Sequence, residues 1–356
     1  MINPMKFFSL ISKNLVNSVL FLLLCGVCAS FFSYTSDAYE SGDIFLNVSQ
    51  TDLDNIPNRS DLRISAIAFD LAGRMYVCSK QGQIFSISKN TVKEIKPSGA
   101  EENTLWMPRA ISTDQSDKLY VAGPNQVWIF DASGESVGGF ETDILFPTSI
   151  VVVGDNMVYI AGHKGGYILH QYGENGERKP VIEEFKKGSE KKISPGQFVI
   201  TTAPGKEPQI VNTSSAGMVR AWKNGVVFAA RTSYHLIAYQ NGEVVTKQQR
   251  PELDFEPRSN TNISGNNVHI QVQDTGKGIG ITVTDEFVFY CYSLPGSDIY
   301  IDIYDLNLNF VEIDVGIDGT LLGADKEGYL YLKRKVDGRE ELFRAKFNPE
   351  SLRKSQ

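Results

Sequence analysis

The side chains able to do chemistry in this chain fall into four sets. The first is Gln273-Asp-Thr-Gly-Lys-Gly-Ile279, a carboxylate beside a glycine-rich, lysine-bearing stretch. That composition suits either a phosphate-contacting loop or an acid-activating Asp-Thr-Gly triplet. Both uses need a context the sequence lacks. The tract from Pro251 to Asn267 is rich in Pro, Asn and Ser rather than helical, and no second triplet follows. Gly276, Gly278 and Gly280 are therefore expected to form a turn feeding a strand at 281–284. The second set is four histidines, His163, His170, His235 and His269, of which the nearest pair is seven residues apart, a spacing of neither helical nor zinc-finger type. The third is a series of aspartates, Asp70, Asp114, Asp155, Asp285 and Asp325. These could ring a calcium ion, but each sits where a hairpin turn is expected, and Asp is common there because it bonds its own backbone. The fourth is cationic: Arg63, Lys80, Arg109, His163, Lys164, Arg231, Lys333 and Arg334.

What places the cationic set on one surface is an internal repeat. Six segments share an apolar–aromatic–apolar–small pattern: Arg74-Met-Tyr-Val-Cys78, Lys118-Leu-Tyr-Val-Ala122, Met157-Val-Tyr-Ile-Ala161, Val226-Val-Phe-Ala-Ala230, Phe287-Val-Phe-Tyr-Cys291 and Tyr329-Leu-Tyr-Leu-Lys333. Their aromatic anchors, Tyr76, Tyr120, Tyr159, Phe228, Phe289 and Tyr331, are 44, 39, 69, 61 and 42 residues apart. Three of these intervals have the length of a four-stranded unit; the two long ones imply insertions, around 186–225 and 250–275. An apolar strand ending in Asp precedes the segment in several copies, and another strand and an Asp/Asn/Gly turn follow it.

Four short strands per unit and no helical stretch predict an all-β, six-bladed β-propeller, because a single blade cannot bury both faces and the ring must close. The last copy supplies about three strands, so Gly42-Asp-Ile-Phe-Leu-Asn47 is expected to close the last blade and cover its free edge. The small slot two residues after the anchor, held by Ala122, Ala161 and Ala230, is taken by Cys78 and Cys291. In blades one and five these are expected to be buried free thiols. Propeller symmetry sends the residues after the second strands to one rim, together with Arg63 and Arg109 ahead of the first strands. The cationic set there is read as a site for an anionic ligand.

The unit Asp70-Leu-Ala-Gly-Arg-Met-Tyr-Val77 resembles the NHL repeat, with looser copies at Asp114–Val121 and Asp325–Leu332. Over roughly residues 42–347 the chain resembles bacterial six-bladed β-propellers with NHL-like or TolB-like blades. That resemblance implies a functionally mixed group of binding scaffolds, with metal-dependent lactonases and lyases among its enzymes. The catalytic sets of those enzymes have no position-matched counterpart in this sequence.

Residues 1–14 carry Lys6 and Lys13 and no acid, and Val19 to Ala29 is an uninterrupted apolar run. This is the pattern of a signal peptide, with cleavage after Ala29 or Ala38, or of an uncleaved anchor from Leu15 to Phe32. Neither Cys25 nor Cys28 has a good lipoprotein context. The expected organisation is thus a leader at 1–38 and one propeller at 39–356, placed in the periplasm or outside the cell. The membrane is touched only through the leader, if uncleaved. A net charge of −7 with mixed signs gives no basic field for nucleic acid. The main expectation is a non-enzymatic binding scaffold with no cofactor, taking a protein, peptide or carbohydrate. The alternative is a propeller-type metal-dependent hydrolase, lactonase-like, or a lyase, with a divalent cation such as calcium in the channel.

Overall fold

The structure, a computed structural model, describes residues 44–352, apart from 52, 54, 89–90, 97–106, 155, 165–166, 180–182, 185–196, 201–208, 213–216, 254, 256–258, 265–266, 273–275 and 297. The expected leader and Asp274 therefore lie outside the described residues. Among the described residues the strands form six four-stranded antiparallel sheets and two further hairpins. The six sheets are the blades of a propeller, and helix among the described residues is confined to short turns at Arg59–Asp61 and Pro349–Leu352. No helix among the described residues is long and apolar enough to cross a membrane.

Each blade runs from an inner strand outward. The inner and second strands are Ile64–Phe69 and Met75–Ser79 in blade 1, and Ala110–Thr113 and Leu119–Gly123 in blade 2. They are Ser149–Val153 and Met157–Lys164 in blade 3, and Gly217–Trp222 and Gly225–Ala230 in blade 4. In blade 5 they are Lys277–Val283 and Phe287–Ser293, and in blade 6 Thr320–Ala324 and Tyr329–Val336. The extra hairpins pair 197–200 with 209–212, before blade 4, and 259–264 with 267–272, before blade 5. Blade 6 takes its outer strand from the chain start: Phe45–Gln50 pairs antiparallel with Arg339–Phe347, Phe45 opposite Phe347.

Six apolar clusters hold the ring, one per blade seam. Tyr76 and Cys78 of blade 1 pack with Leu119, Val121 and Phe130 of blade 2. The series continues around the ring until Leu322, Tyr331 and Leu342 of blade 6 meet Ile64, Val77 and Phe85 of blade 1. Period-two alternation makes this possible, since successive residues of one strand face opposite neighbouring blades.

The anchors follow this rule with one exception. Tyr76, Tyr120, Tyr159, Phe289 and Tyr331 face the following blade. Phe228 faces back, toward Val151 and Tyr159 of blade 3, and Val227 and Ala229 face forward to blade 5. Blade 4 is thus offset by one residue from the aromatic alignment, and a shift of one sends every side chain to the other face. Ala230 accordingly does not share the slot of Ala122 and Ala161. Cys78 and Cys291 do face forward, and both are free and buried. Burial pushes their thiols up to about 11 and about 12.

The turns use the expected chemistry. Asp70 accepts the Arg74 N–H (2.8 Å), Asp114 that of Lys118 (2.9 Å) and Asp325 that of Tyr329 (3.0 Å). Gly73 and Gly328, at φ of 80° and 79°, close two of these turns in the left-handed region that glycine enters at low cost. A second contact, between the anchor six residues on and the same aspartate, was not foreseen. The Tyr331 hydroxyl donates to the other carboxylate oxygen of Asp325 at 3.0 Å, and that of Tyr76 to Asp70 at 3.4 Å.

One turn expectation is corrected. Gly278 and Gly280 lie inside the inner strand of blade 5. A Cβ there would collide with backbone carbonyls, of Ala230 in the case of Gly278 and of Leu321 in that of Gly280. Glycine is used to let inner strands approach, not to turn the chain.

Candidate functional site

The inner strands run in one sense along the ring axis, so each blade has a start end and a turn end. Register places the end of every second strand beside the start of its first: Ile64 opposite Ser79, Ala110 opposite Ala122, Ser149 opposite Ala161, Gly217 opposite Ala230, Thr320 opposite Lys333. All eight cationic residues singled out in the sequence therefore sit at the start end.

They do not form one cluster. Three meet at the seam of blades 6 and 1. The Lys80 N–H bonds the Arg63 carbonyl at 2.6 Å, and Lys333 Nζ donates to the Ile64 carbonyl at 2.9 Å with Glu340 at 3.6 Å. Burial depresses the Lys333 ammonium, Glu340 opposes that, and the Lys80 charge adds to the depression. Arg334, next in chain, lies over the Phe343 ring at 4.7 Å, with Asp318 at 3.9 Å. The rest are spread around the ring. Arg109 is exposed near the Phe146 ring, 5.8 Å from its centroid. Lys164 pairs with Asp143, and half-buried His163 precedes it. Arg231 is half-buried, and burial lowers its pKa.

The central channel opens at the other end. A cavity of about 880 Å³ is lined by the second halves of all six inner strands and the turns after them. Its lining mixes apolar residues, among them Ile67, Ile111, Ile150 and Val152 from blades 1 to 3, with polar and charged ones. Thr113, Thr282 and Thr284 add hydroxyls, and the mouth carries Asp285, Glu286 and Glu327 with Lys223 and Lys326. Among the described residues no group of three or more His, Cys, Asp or Glu is arranged to hold a metal ion.

Among the described residues lining this channel is a charged side chain on an inner strand that sequence reasoning missed. Arg220, on the inner strand of blade 4, donates from Nη1 to Ser149 Oγ of blade 3 and to the Val219 carbonyl, both at 2.9 Å. From Nη2 it donates across the axis to the Leu322 carbonyl of blade 6 at 3.0 Å. Burial lowers its pKa to about 10, which leaves it a cation at neutral pH. Arg220 is the one charge interior to any of the six inner strands, and that is the signal that could have found it.

A second polar group lies away from the axis, between blades 4 and 5. Arg250, Asp302, Asp314, Tyr234, Tyr292 and Tyr304 form a continuous hydrogen-bonded cluster. Burial raises the Asp302 carboxyl although Tyr234, the Asp314 N–H and Arg250 all donate to it. Every member has protein partners, so the cluster ties two blades together rather than waiting for a ligand.

No family model matches the chain, and no curated protein matches it by sequence. Solved structures do match in fold. A protein of Bacteroides fragilis described as exported aligns at a TM-score of 0.54 and 10% identity, covering 85% of this chain and 94% of that one. A catalytically inactive virginiamycin B lyase of Staphylococcus aureus, solved with quinupristin, aligns at 0.50 and 10%, covering 85% and 99%. U3-55K aligns at 0.50 and 10%, covering 86% and 99%. At such identity these likenesses establish the propeller and nothing of its chemistry.

Proposed function

We infer that this protein is an exported binding propeller, with blades akin to NHL-like or TolB-like repeats, whose start-end rim takes an anionic ligand or an acidic face of a partner. The observation that carries the reading is the confinement of Arg63, Lys80, Arg109, His163, Lys164, Arg231, Lys333 and Arg334 to one end of the ring, on a scaffold of net charge −7. Lys164, Lys333 and Arg334 face Asp143, Glu340 and Asp318, so the charges offered to an anion at this rim are those of Arg63, Lys80, Arg109 and Arg231. Export is supported by the basic-then-apolar pattern of residues 1–38 and by the exported B. fragilis neighbour. The enzymatic alternative needs oxygen ligands converging on the axis. Asp70, Asp114 and Asp325 instead spend carboxylate oxygens on their own turns.

The test uses a fluorescein-labelled ten-residue glutamate peptide as probe, read by anisotropy at low and physiological salt. Lys80→Glu with Arg109→Glu should weaken binding about tenfold and flatten its salt dependence. An affinity indifferent to both changes would remove the rim reading. Metal analysis before and after chelation separates the alternative: a stoichiometric divalent ion, whose loss lowers the melting temperature, favours the hydrolase or lyase.

A further inference from the structure

The channel cavity opens at the end of the ring opposite the cationic rim, and Arg220 lines it while its guanidinium bonds Ser149 at the start of the blade 3 inner strand. A guanidinium has five N–H groups. Three of those on Arg220 are spent on Ser149, Val219 and Leu322, which fixes its plane across the axis. Nε–H and one Nη2–H remain, the edge of the guanidinium that receives a carboxylate as a fork. No acidic side chain lies against it among the described residues; burial is the cause that shifts it, with no compensating carboxylate. A half-buried cation without a counter-charge is costly, and the cavity it lines is where a counter-charge would enter.

The rest of the cavity narrows the ligand. The lysines at the mouth are occupied elsewhere: Lys223 lies 4.6 Å from the Trp222 ring centre and bonds Asn307 at 2.9 Å, and Lys326 bonds the Leu71 carbonyl at 2.7 Å. Asp285, Glu286 and Glu327 stand beside them, so the mouth opposes a polyanion. The inner strands add Ile67, Ile111, Ile150 and Val152 to the lining, their side chains otherwise buried in the blade seams. At about 880 Å³ the space is in the range of small-molecule sites.

We propose that the channel binds a monocarboxylic acid with an apolar body, its carboxylate forked on Arg220 and its hydrocarbon along the apolar residues of the inner-strand lining. The site is independent of the rim and of any ligand there.

Calorimetry on the full chain with octanoate and 1-octanol tests it, the two sharing a body and differing in charge. Octanoate should bind with micromolar to sub-millimolar affinity, at least about tenfold tighter than octanol, the margin of a charge-assisted fork. Arg220→Met should erase that preference while octanol still binds, and Arg220→Lys should keep part of it. Ser112→Trp, at a half-buried lining position on blade 2, should fill the cavity and abolish binding of both. Equal affinities for octanoate and octanol in the unaltered protein, or no octanoate binding at millimolar concentration, would overturn the proposal whether or not the Arg220 variants fold. So would a folded Arg220→Met protein that keeps the preference. Loss of rim binding to the glutamate peptide leaves these outcomes unchanged, so the two readings fail separately.

Discussion

Arg250 and Asp302 form an ion pair across the seam of blades 4 and 5, Nη1 to Oδ2 at 3.0 Å, with the Asp302 side chain fully buried. Arg250 directly follows the outer strand of blade 4, and Asp302 sits in the third strand of blade 5. Asp302 also accepts the Asp314 N–H at 2.7 Å, beside a backbone at φ 56°, so the carboxylate holds a left-handed residue in place. Removing one partner of a buried pair leaves the other charge uncompensated. Asp302→Asn should therefore cost about 3 kcal/mol in urea unfolding. Asp314→Asn, whose side chain is 45% exposed, should cost no more than about 1 kcal/mol. Equal costs would mean that Asp302 is not the keystone of the seam.

Ring closure depends on one strand drawn from the chain start. Phe45 is buried and packs with Phe289 and Phe347 at the blade 5–6 seam. Phe45→Ala removes a core aromatic and should destabilise by about 3–4 kcal/mol. Leu46, 43% exposed on the other face of the same strand, should tolerate alanine within about 0.5 kcal/mol. Thermal melts of the two variants check the contrast; a small loss for both would place closure elsewhere.

His170 gives the fold a pH dependence. Its ring is fully buried, Nε2 donating to the Gly162 carbonyl at 2.9 Å. Burial lowers its pKa to about 4; the Gly162 bond opposes the shift, and the charges of Arg178 and Lys164 reinforce it. Between its ordinary value near 6.5 and about 4 the unfolded chain binds a proton that the native state refuses. His170 thus leaves stability intact above about pH 6.5, and stability falls as pH drops through that window, by roughly 3 kcal/mol in total. In His170→Gln the difference from the unaltered protein should shrink across the same window. Parallel stability curves from pH 7 to pH 4 would count against the assignment.

The properties legible in the sequence were local ones. The Asp-x-x-Gly turns, the alternation within strands and the near-constant spacing of Tyr76, Tyr120 and Tyr159 all act over fewer than fifty residues. They were enough to foresee six blades, a closing N-terminal strand, two buried thiols and cations at the start end. Tertiary structure decided what depends on residues far apart in the chain. The reversed facing of Phe228 follows from the register of blade 4, which no local pattern sets, because Val226-Val-Phe-Ala-Ala230 is apolar on both faces. The Asp302 cluster needs Tyr234 and Arg250 brought beside blade 5. Arg220 looks like a misplaced charge in an apolar strand until the ring closes and puts the Leu322 carbonyl, 102 residues on, within its reach. Sequence period set the blades, whereas the channel exists only once the first and last of them meet, because its wall takes one strand from each.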